Sequence, residues 1–174
     1  FDVTVFDVLG GFYGLQTFVT VNNVVGTSTN LVPNSTLETP GTGGNPASWN
    51  RGGWGTNTRT YTYPATGFAG NGATVAISGY TSGDAKWYFN DVAVTPGTQY
   101  TVSDRYNSTV SSQALVRYTL TGGTNQYLTL QTLPSTAGAW QTFTGTFTPP
   151  ANTVSMTLFH LIAGNGSLTI DNMS

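Results

Sequence analysis

The chain has 174 residues, of which 7% are charged, and its formal net charge is −2 at pH 7. This length allows one substantial hydrophobic core and is short for two full domains. The low positive charge excludes a surface that neutralises nucleic acid phosphates, and the absence of cysteine excludes disulfides, thiol catalysis and thiolate metal sites.

The first element predicted along the chain is a β-hairpin in residues 1–24. It has two β-rich runs that flank a Gly-Gly-Phe-Tyr-Gly connection. Because an isolated hairpin of this size is marginally stable in water, we expect it to pack on its own domain or on a neighbouring chain. Residues 25–30 are small and polar, as is typical of a linker. We therefore divide the chain into a hairpin with its linker at 1–29 and one module at 30–174.

Strand-like alternation dominates the module, whereas helical periodicity is hard to find. The long segment 38–57 is rich in Gly, Pro and Asn, and it is predicted to be a loop that carries two tryptophans, Trp49 and Trp54. Strands are predicted after this loop at residues 73–78, 86–94, 99–106, 114–120, 126–132, 140–147, 155–161 and 167–172. These patterns predict an all-β fold, a two-sheet antiparallel β-sandwich (jelly roll) with an extra N-terminal β-hairpin.

One predicted strand separates two kinds of side chain. Alternation places Trp87 and Phe89 on one face and Lys86 and Tyr88 on the other. Because lysine is almost never fully buried without a partner, we predict that Lys86 and Tyr88 face a ligand and that Trp87 and Phe89 face the core.

Polar and aromatic side chains on the following strands extend this prediction. Asp104 and Tyr106 share a face, and they are predicted to join Lys86 in one patch with either Arg117 or Tyr118, if the strands are adjacent. A structural ladder of salt bridges is the alternative interpretation of the same charges.

Five segments carry a resemblance to a known family. They are, in chain order, Asn-Leu-Val-Pro-Asn-Ser-Thr-Leu-Glu at 30–38, Pro-Ala-Ser-Trp at 46–49, Pro-Gly-Thr-Gln-Tyr-Thr-Val-Ser at 96–103, Trp-Gln-Thr-Phe-Thr-Gly-Thr-Phe-Thr-Pro at 140–149 and Leu-Thr-Ile-Asp-Asn at 168–172. In this order they resemble the jelly-roll carbohydrate-binding modules attached to xylanases and cellulases. The resemblance implies a noncatalytic β-sandwich that binds glycans through aromatic side chains. Residues 1–24 resemble instead the last hairpin of a bacterial immunoglobulin-like repeat.

Aromatic rings bind sugars because the C–H face of a pyranose stacks on an electron-rich ring, so binding requires rings that stay exposed. Trp49 and Trp140 occupy positions that are core in the resembled family, and we expect both to pack. Trp54 lies between glycines that cannot bury it locally, which favours an exposed ring. The predicted carbohydrate-binding residues are therefore Trp54, Lys86, Tyr88, Asp104, Tyr106 and Arg117.

The resemblance also implies a structural calcium ion. In the resembled modules such an ion often lies between the opening segment and the closing strand, and the residues at those positions here are Glu38 and Asp171. Both are carboxylates, which calcium accepts as ligands. The alternative is that the two acids only bind loop backbone.

Catalysis is not expected. His160 is the only histidine and lies in an apolar strand, where a hydrogen-bonded structural role is favoured over that of a base or metal ligand. A glycosidase would need a pair drawn from Asp84, Asp91 and Asp104, yet no serine hydrolase, phosphate-loop or zinc motif is present.

The sequence thus predicts noncatalytic carbohydrate binding by a secreted module, extracellular or at the cell surface, that targets a larger enzyme or surface protein to a neutral polysaccharide. The alternative is a structural subunit of an extracellular fibre, surface layer or adhesin that self-assembles through residues 1–24. No run of eighteen apolar residues occurs and no charged and then apolar leader precedes Phe1, so we expect no membrane insertion and no signal peptide. Nucleic acid is not an expected partner.

Overall fold

The computed structural model describes residues 29–174, and the predictions of a hairpin and of self-assembly at 1–24 lie outside these residues. No helix in the described part of the chain is long and apolar enough to cross a membrane. The described residues form eleven strands: β1 Trp49–Trp54, β2 Thr58–Thr66, β3 Asn71–Ser78, β4 Asp84–Phe89, β5 Val92–Ala93, β6 Tyr100–Ser108, β7 Ser112–Leu120, β8 Asn125–Leu133, β9 Gln141–Phe147, β10 Thr153–Ile162 and β11 Gly166–Asp171.

The strands pair into two antiparallel sheets that pack face to face. Sheet I has the order β1-β4-β10-β7-β8, and its short strand β5 also pairs with β10. Sheet II has the order β2-β3-β11-β6-β9. The chain crosses from one sheet to the other several times, so strands distant in sequence become neighbours. This architecture confirms the predicted two-sheet β-sandwich.

Two strands lie where none was predicted. The prediction of a loop across 38–57 is wrong at its end, where β1 pairs with β4 and Trp54 lies opposite Asp84. β1 and β2 are edge strands, where a strand needs only one partner and glycine is better tolerated. β2 alternates threonine with larger side chains, and this is a period-two signal that sequence-based prediction missed.

The hydrophobic core fills the space between the sheets. Trp87 and Phe89 are almost fully buried there, which confirms their predicted position. Trp49 is buried as predicted, and its indole Nε1 donates to the carbonyl of Pro33 at 2.9 Å. Trp140 is only half-buried and packs edge-on against a surface ring. The residues that alternate with these core positions along the strands point outward, and they build the surfaces described next.

Candidate functional site

Aromatic and charged side chains cover the outer side of sheet I. The strand register places Leu161 opposite Lys86, and Arg117 between Thr157 and Tyr127. Alternate residues point to opposite sides of a sheet, and Trp87 of β4 faces the core. Lys86 and the residues in register with it across the sheet therefore point away from the core. We call the following set the aromatic face: Trp54 of β1, Asp84, Lys86 and Tyr88 of β4, Asp91 beyond it, Phe159 of β10, Arg117 of β7 and Tyr127 of β8.

Phe159 lies at the centre of the aromatic face. The centroid of its ring is 5.2 Å from that of Tyr88, in a T-shaped arrangement, and 6.3 Å from that of Tyr127. Lys86 Nζ lies 4.6 Å from the same centroid and the guanidinium carbon of Arg117 lies 5.4 Å from it. These neighbours bury Phe159, so it positions the surrounding side chains and leaves the outer rings to meet a ligand.

The first ion pair of the aromatic face holds its tryptophan. Lys86 Nζ donates to Asp84 Oδ1 at 2.6 Å, and the indole Nε1 of Trp54 donates to Asp84 Oδ2 at 3.0 Å. Lys86 is 8% exposed, and Asp84 is the partner that such burial requires. The Trp54 side chain is 65% exposed, so the hydrogen bond fixes a ring that stays open to solvent.

The second ion pair lies on the side of Phe159 away from Lys86. Arg117 binds Asp91 Oδ1, and Thr119 Oγ1 donates to Asp91 Oδ2 at 2.8 Å. The guanidinium carbon of Arg117 also lies 5.6 Å from the ring centroid of Tyr88, within the range of a cation–π interaction. Each cation of the aromatic face therefore has its own carboxylate, and the face carries no net charge.

Four of the six predicted binding residues meet on the aromatic face: Trp54, Lys86, Tyr88 and Arg117. Arg117 rather than Tyr118 joins them, because Tyr118 points inward and is 2% exposed. The outward position of these four agrees with the strand alternation, and their binding role stays a prediction.

The predicted exposure of Asp104 and Tyr106 is wrong. Both are buried between the sheets, on β6 of sheet II, which is not adjacent to β4. Val102 faces the core, and the period of two then turns Asp104 and Tyr106 inward as well. Asp104 is tolerated there because His160, on the opposite sheet, supplies a hydrogen-bond partner.

The sequence-based prediction missed Phe159, Tyr127, Asp84 and Asp91 as parts of the aromatic face. A signal existed for Phe159, because a strand whose core side includes His160 must turn its neighbour Phe159 outward. Tyr127 is 56% exposed and carries no such signal, because only its pairing with Arg117 brings it to this face.

A serine, a histidine and an aspartate form a hydrogen-bonded row in the interior. His160 Nδ1 lies 2.6 Å from Asp104 Oδ2, and Ser112 Oγ lies 2.9 Å from His160 Nε2. All three are at most 1% exposed, so no substrate reaches the serine hydroxyl. The hydrogen-bonded structural role predicted for His160 is confirmed.

Glu38 and Asp171 converge on the turn between β2 and β3. Glu38 Oε1 accepts the backbone N–H of Asn71 at 2.8 Å, and Asp171 Oδ2 accepts that of Ala69 at 3.0 Å. Burial raises the pKa of Asp171, backbone N–H groups lower it, and the nearby charge of Glu38 raises it further. The part of the chain that the structure describes contains no cluster of three or more acidic or histidine side chains that could hold a metal, so a cation here would need backbone oxygens as well.

Comparisons with solved structures report the same fold at low sequence identity. A bacteriophage CBA120 tailspike protein (TSP4) is 16% identical with a TM-score of 0.59, over 83% of this chain and 21% of that chain. A xylanase 10B fragment of Clostridium thermocellum with modules CBM22-1 and GH10, complexed with xylohexaose, is 17% identical with a TM-score of 0.57, over 72% and 25% respectively. This chain thus spans a quarter or less of either protein.

A further match covers most of a structure that consists of a single domain. The CBM22-1 xylan-binding domain of Paenibacillus barcinonensis Xyn10C is 13% identical with a TM-score of 0.55, over 79% of this chain and 88% of that chain. No curated protein matches the sequence. The family model described as "Carbohydrate binding domain" matches residues 29–164, most of the described sandwich. The chain therefore belongs to this family of carbohydrate-binding domains.

Proposed function

We propose that the aromatic face binds a neutral polysaccharide without catalysis. The observation that carries this proposal is the combination of open aromatic rings with fully paired charges on one side of sheet I. Trp54 and Tyr127 present rings on which a pyranose can stack. With both carboxylates already paired to Lys86 and Arg117, the face has no net charge with which to select an ionised sugar.

Polar groups between the rings would orient the glycan. Lys86 has further N–H donors beyond the one directed at Asp84, and Arg117 has donors beyond those directed at Asp91. These donors suit the hydroxyl and ring oxygens of a sugar. Stacking would supply most of the affinity, and the donors would select the orientation of the sugar ring.

The three aspartates available for catalysis have other partners. Asp84 and Asp91 are each in an ion pair, and Asp104 is buried beside His160. This supports binding without catalysis, and we propose that the module holds a larger enzyme or surface protein on its polysaccharide. A location outside the cell or at its surface belongs to the same proposal, because polysaccharides of this kind lie there.

Calorimetry of the full chain with soluble xylan, β-glucan and mannan tests the proposal. We expect Tyr127→Ala to weaken binding of the preferred glycan about threefold to tenfold, the range of one aromatic stacking contact. Leu128→Ala is the matched control, because Leu128 is the next residue of β8, is also exposed and points to the other side of the sheet. Equal affinity of Tyr127→Ala, Trp54→Ala and the unmodified chain for every glycan would contradict the proposal.

We also propose that Glu38 and Asp171 hold a structural calcium ion. Two carboxylates that converge on one glycine-containing turn, the pKa of one of them, Asp171, being raised first by burial and also by the charge of Glu38, fit a cation that supplies positive charge there. When bound, calcium would tie the segment before β1 to β11. We expect calcium to raise the melting temperature by about 4 °C or more over a chelator, and Asp171→Asn to abolish the difference. Identical melting in calcium and chelator would contradict this proposal.

A further inference from the structure

A second aromatic cluster lies on the outer side of sheet II, across the sandwich from the aromatic face. It consists of Phe68 in the turn after β2, Trp140 just before β9 and Arg105 of β6, and we call it the Phe68 cluster. The ring centroids of Phe68 and Trp140 are 6.0 Å apart at an interplanar angle of 71°. The guanidinium carbon of Arg105 lies 4.4 Å from the Phe68 centroid, and Phe68 remains 46% exposed.

Arg105 differs from Lys86 and Arg117 of the aromatic face in whether a carboxylate neutralises its charge. Among residues 29–174, no carboxylate lies within ion-pair distance of it. Its Nη1 donates to Thr142 Oγ1 at 2.6 Å, and its other guanidinium donors have no hydrogen-bond partner among the described residues. Asp171 lies opposite Arg105 in the strand register, but its carboxylate is turned to the backbone N–H groups of Ala69 and Asn172.

Packing alone explains only part of the Phe68 cluster. The turn that carries Phe68 covers Asp171, and Trp140 supports that turn from one side. Such a cover needs apolar contact with its underside. It does not need a large exposed ring, nor an arginine stacked on that ring with no acidic partner in residues 29–174. A sugar with an acidic substituent would use both features.

We propose that the Phe68 cluster is a second glycan subsite that takes a uronic acid residue. The exposed part of Phe68 stacks on the C–H face of the sugar, and Arg105 binds the sugar carboxylate through its free donors. Trp140 holds the Phe68 ring in place. The two surfaces then differ in charge selectivity, because Asp84 and Asp91 neutralise the cations of the aromatic face, whereas no carboxylate of the described residues neutralises Arg105.

The test is an NMR titration of the full ¹⁵N-labelled chain with methyl β-glucuronide and, separately, with methyl β-glucoside. The two probes differ only at the carboxylate, so their comparison isolates the role of Arg105. We expect shifts of the Trp140 indole N–H and the Phe68 amide, and about tenfold tighter binding of the glucuronide. Arg105→Gln should remove this preference, and Phe68→Leu, which keeps an apolar cover, should weaken binding of both sugars about threefold.

Tyr88→Leu is the control, because it alters the aromatic face and should leave the titration at Trp140 unchanged. Equal affinity for the two probes, no shift at Trp140, or a preference that survives Arg105→Gln would overturn the proposal. Should Phe68→Leu fail to fold, Arg105→Gln decides alone, since Arg105 points outward from β6. A separate titration of the same labelled chain with a neutral oligosaccharide reports on Tyr88 and Tyr127, so this subsite and the proposed function can fail independently.

Discussion

His160 of sheet I and Asp104 of sheet II meet in the middle of the sandwich, where Nδ1 of the histidine lies 2.6 Å from Oδ2 of the aspartate. Both side chains are fully withdrawn from solvent, and the rings of Tyr106 and Phe143 pack around the imidazole. The pair joins the two sheets directly by a polar contact. Its role is structural, because it stabilises the interior from which the outward faces of both sheets are built.

We expect His160→Leu alone to lower the free energy of unfolding by about 3 to 5 kcal/mol, because it leaves Asp104 buried without its partner. The double variant Asp104→Val/His160→Leu should lose less than the sum of the two single variants, by about 1 kcal/mol or more, since it removes both polar groups. Urea unfolding followed by tryptophan fluorescence measures all three variants. Additive losses would show that the two side chains do not interact.

The two ion pairs of the aromatic face are expected to differ in what they support. Asp91→Asn should change stability by about 1 kcal/mol or less, because the pair with Arg117 is partly exposed. Asp84→Asn loses the pair with Lys86 and weakens the hold on the Trp54 ring, so we expect the larger loss of glycan affinity from this variant. Calorimetry with the preferred neutral glycan compares the two, and the reverse order would refute the role given to Asp84.

A glycine beside the aromatic face is expected to be irreplaceable. Gly83 has φ +93°, and a Cβ there would lie 1.8 Å from the carbonyl oxygen of Trp54. Because that atom is backbone, Gly83→Ala must displace β1 from β4, and we expect a loss of about 2 to 4 kcal/mol together with weaker glycan binding. Gly97→Ala is the matched control, because Gly97 has φ +77° and open space around it, so only the cost of the left-handed backbone, about 1 kcal/mol, remains. Similar thermal stability of the two variants would contradict this prediction.

Two interior tyrosines should make the fold sensitive to alkali. Burial raises the pKa of Tyr118 above its ordinary value of 10.0, and burial followed by the charge of Asp104 raises that of Tyr106. Below pH 10.0 both are protonated in the folded and unfolded states. Above it the unfolded state loses the protons first, so the free energy of unfolding should fall as the pH rises towards the folded-state pKa.

Tyr118→Phe isolates one of these groups. The Tyr118 hydroxyl is buried with no hydrogen-bond partner among the described residues, so its removal should cost little at neutral pH. Above pH 10.0 the variant should lose stability less steeply than the unmodified chain. Urea unfolding at neutral pH and above pH 10.0 measures the difference. An equal loss of unfolding free energy in the variant and the unmodified chain would exclude Tyr118 as a source of the sensitivity.

The strand alternation of β4 was readable from the sequence because it is a local property of an extended chain. Trp87 and Phe89 had to share one side, with Lys86 and Tyr88 on the other, whichever strands lay beside them. The apolar pair then identified the inward side. The two-sheet architecture followed in the same way from repeated short alternating segments with no helical period.

The neighbours of β4 could not be read in this way. Asp104 and Tyr106 follow β4 closely along the chain and carry the residue types of a binding patch, yet the crossing to sheet II places them in the interior. Phe159 and Tyr127 are far away in sequence and come to the aromatic face through the pairing of β10, β7 and β8. Strand order depends on how all the apolar faces are buried together, which no single segment encodes.

The sequence by itself therefore determined the fold class, the absence of cysteine chemistry and the outward position of Lys86 and Tyr88, because composition and local periodicity set these. Only the tertiary structure decided that Arg117 and Phe159 complete the aromatic face, and that Asp104 pairs with His160 inside. Side-chain periodicity is a property of one strand, whereas a binding surface is assembled from several strands whose pairing is a property of the whole sandwich.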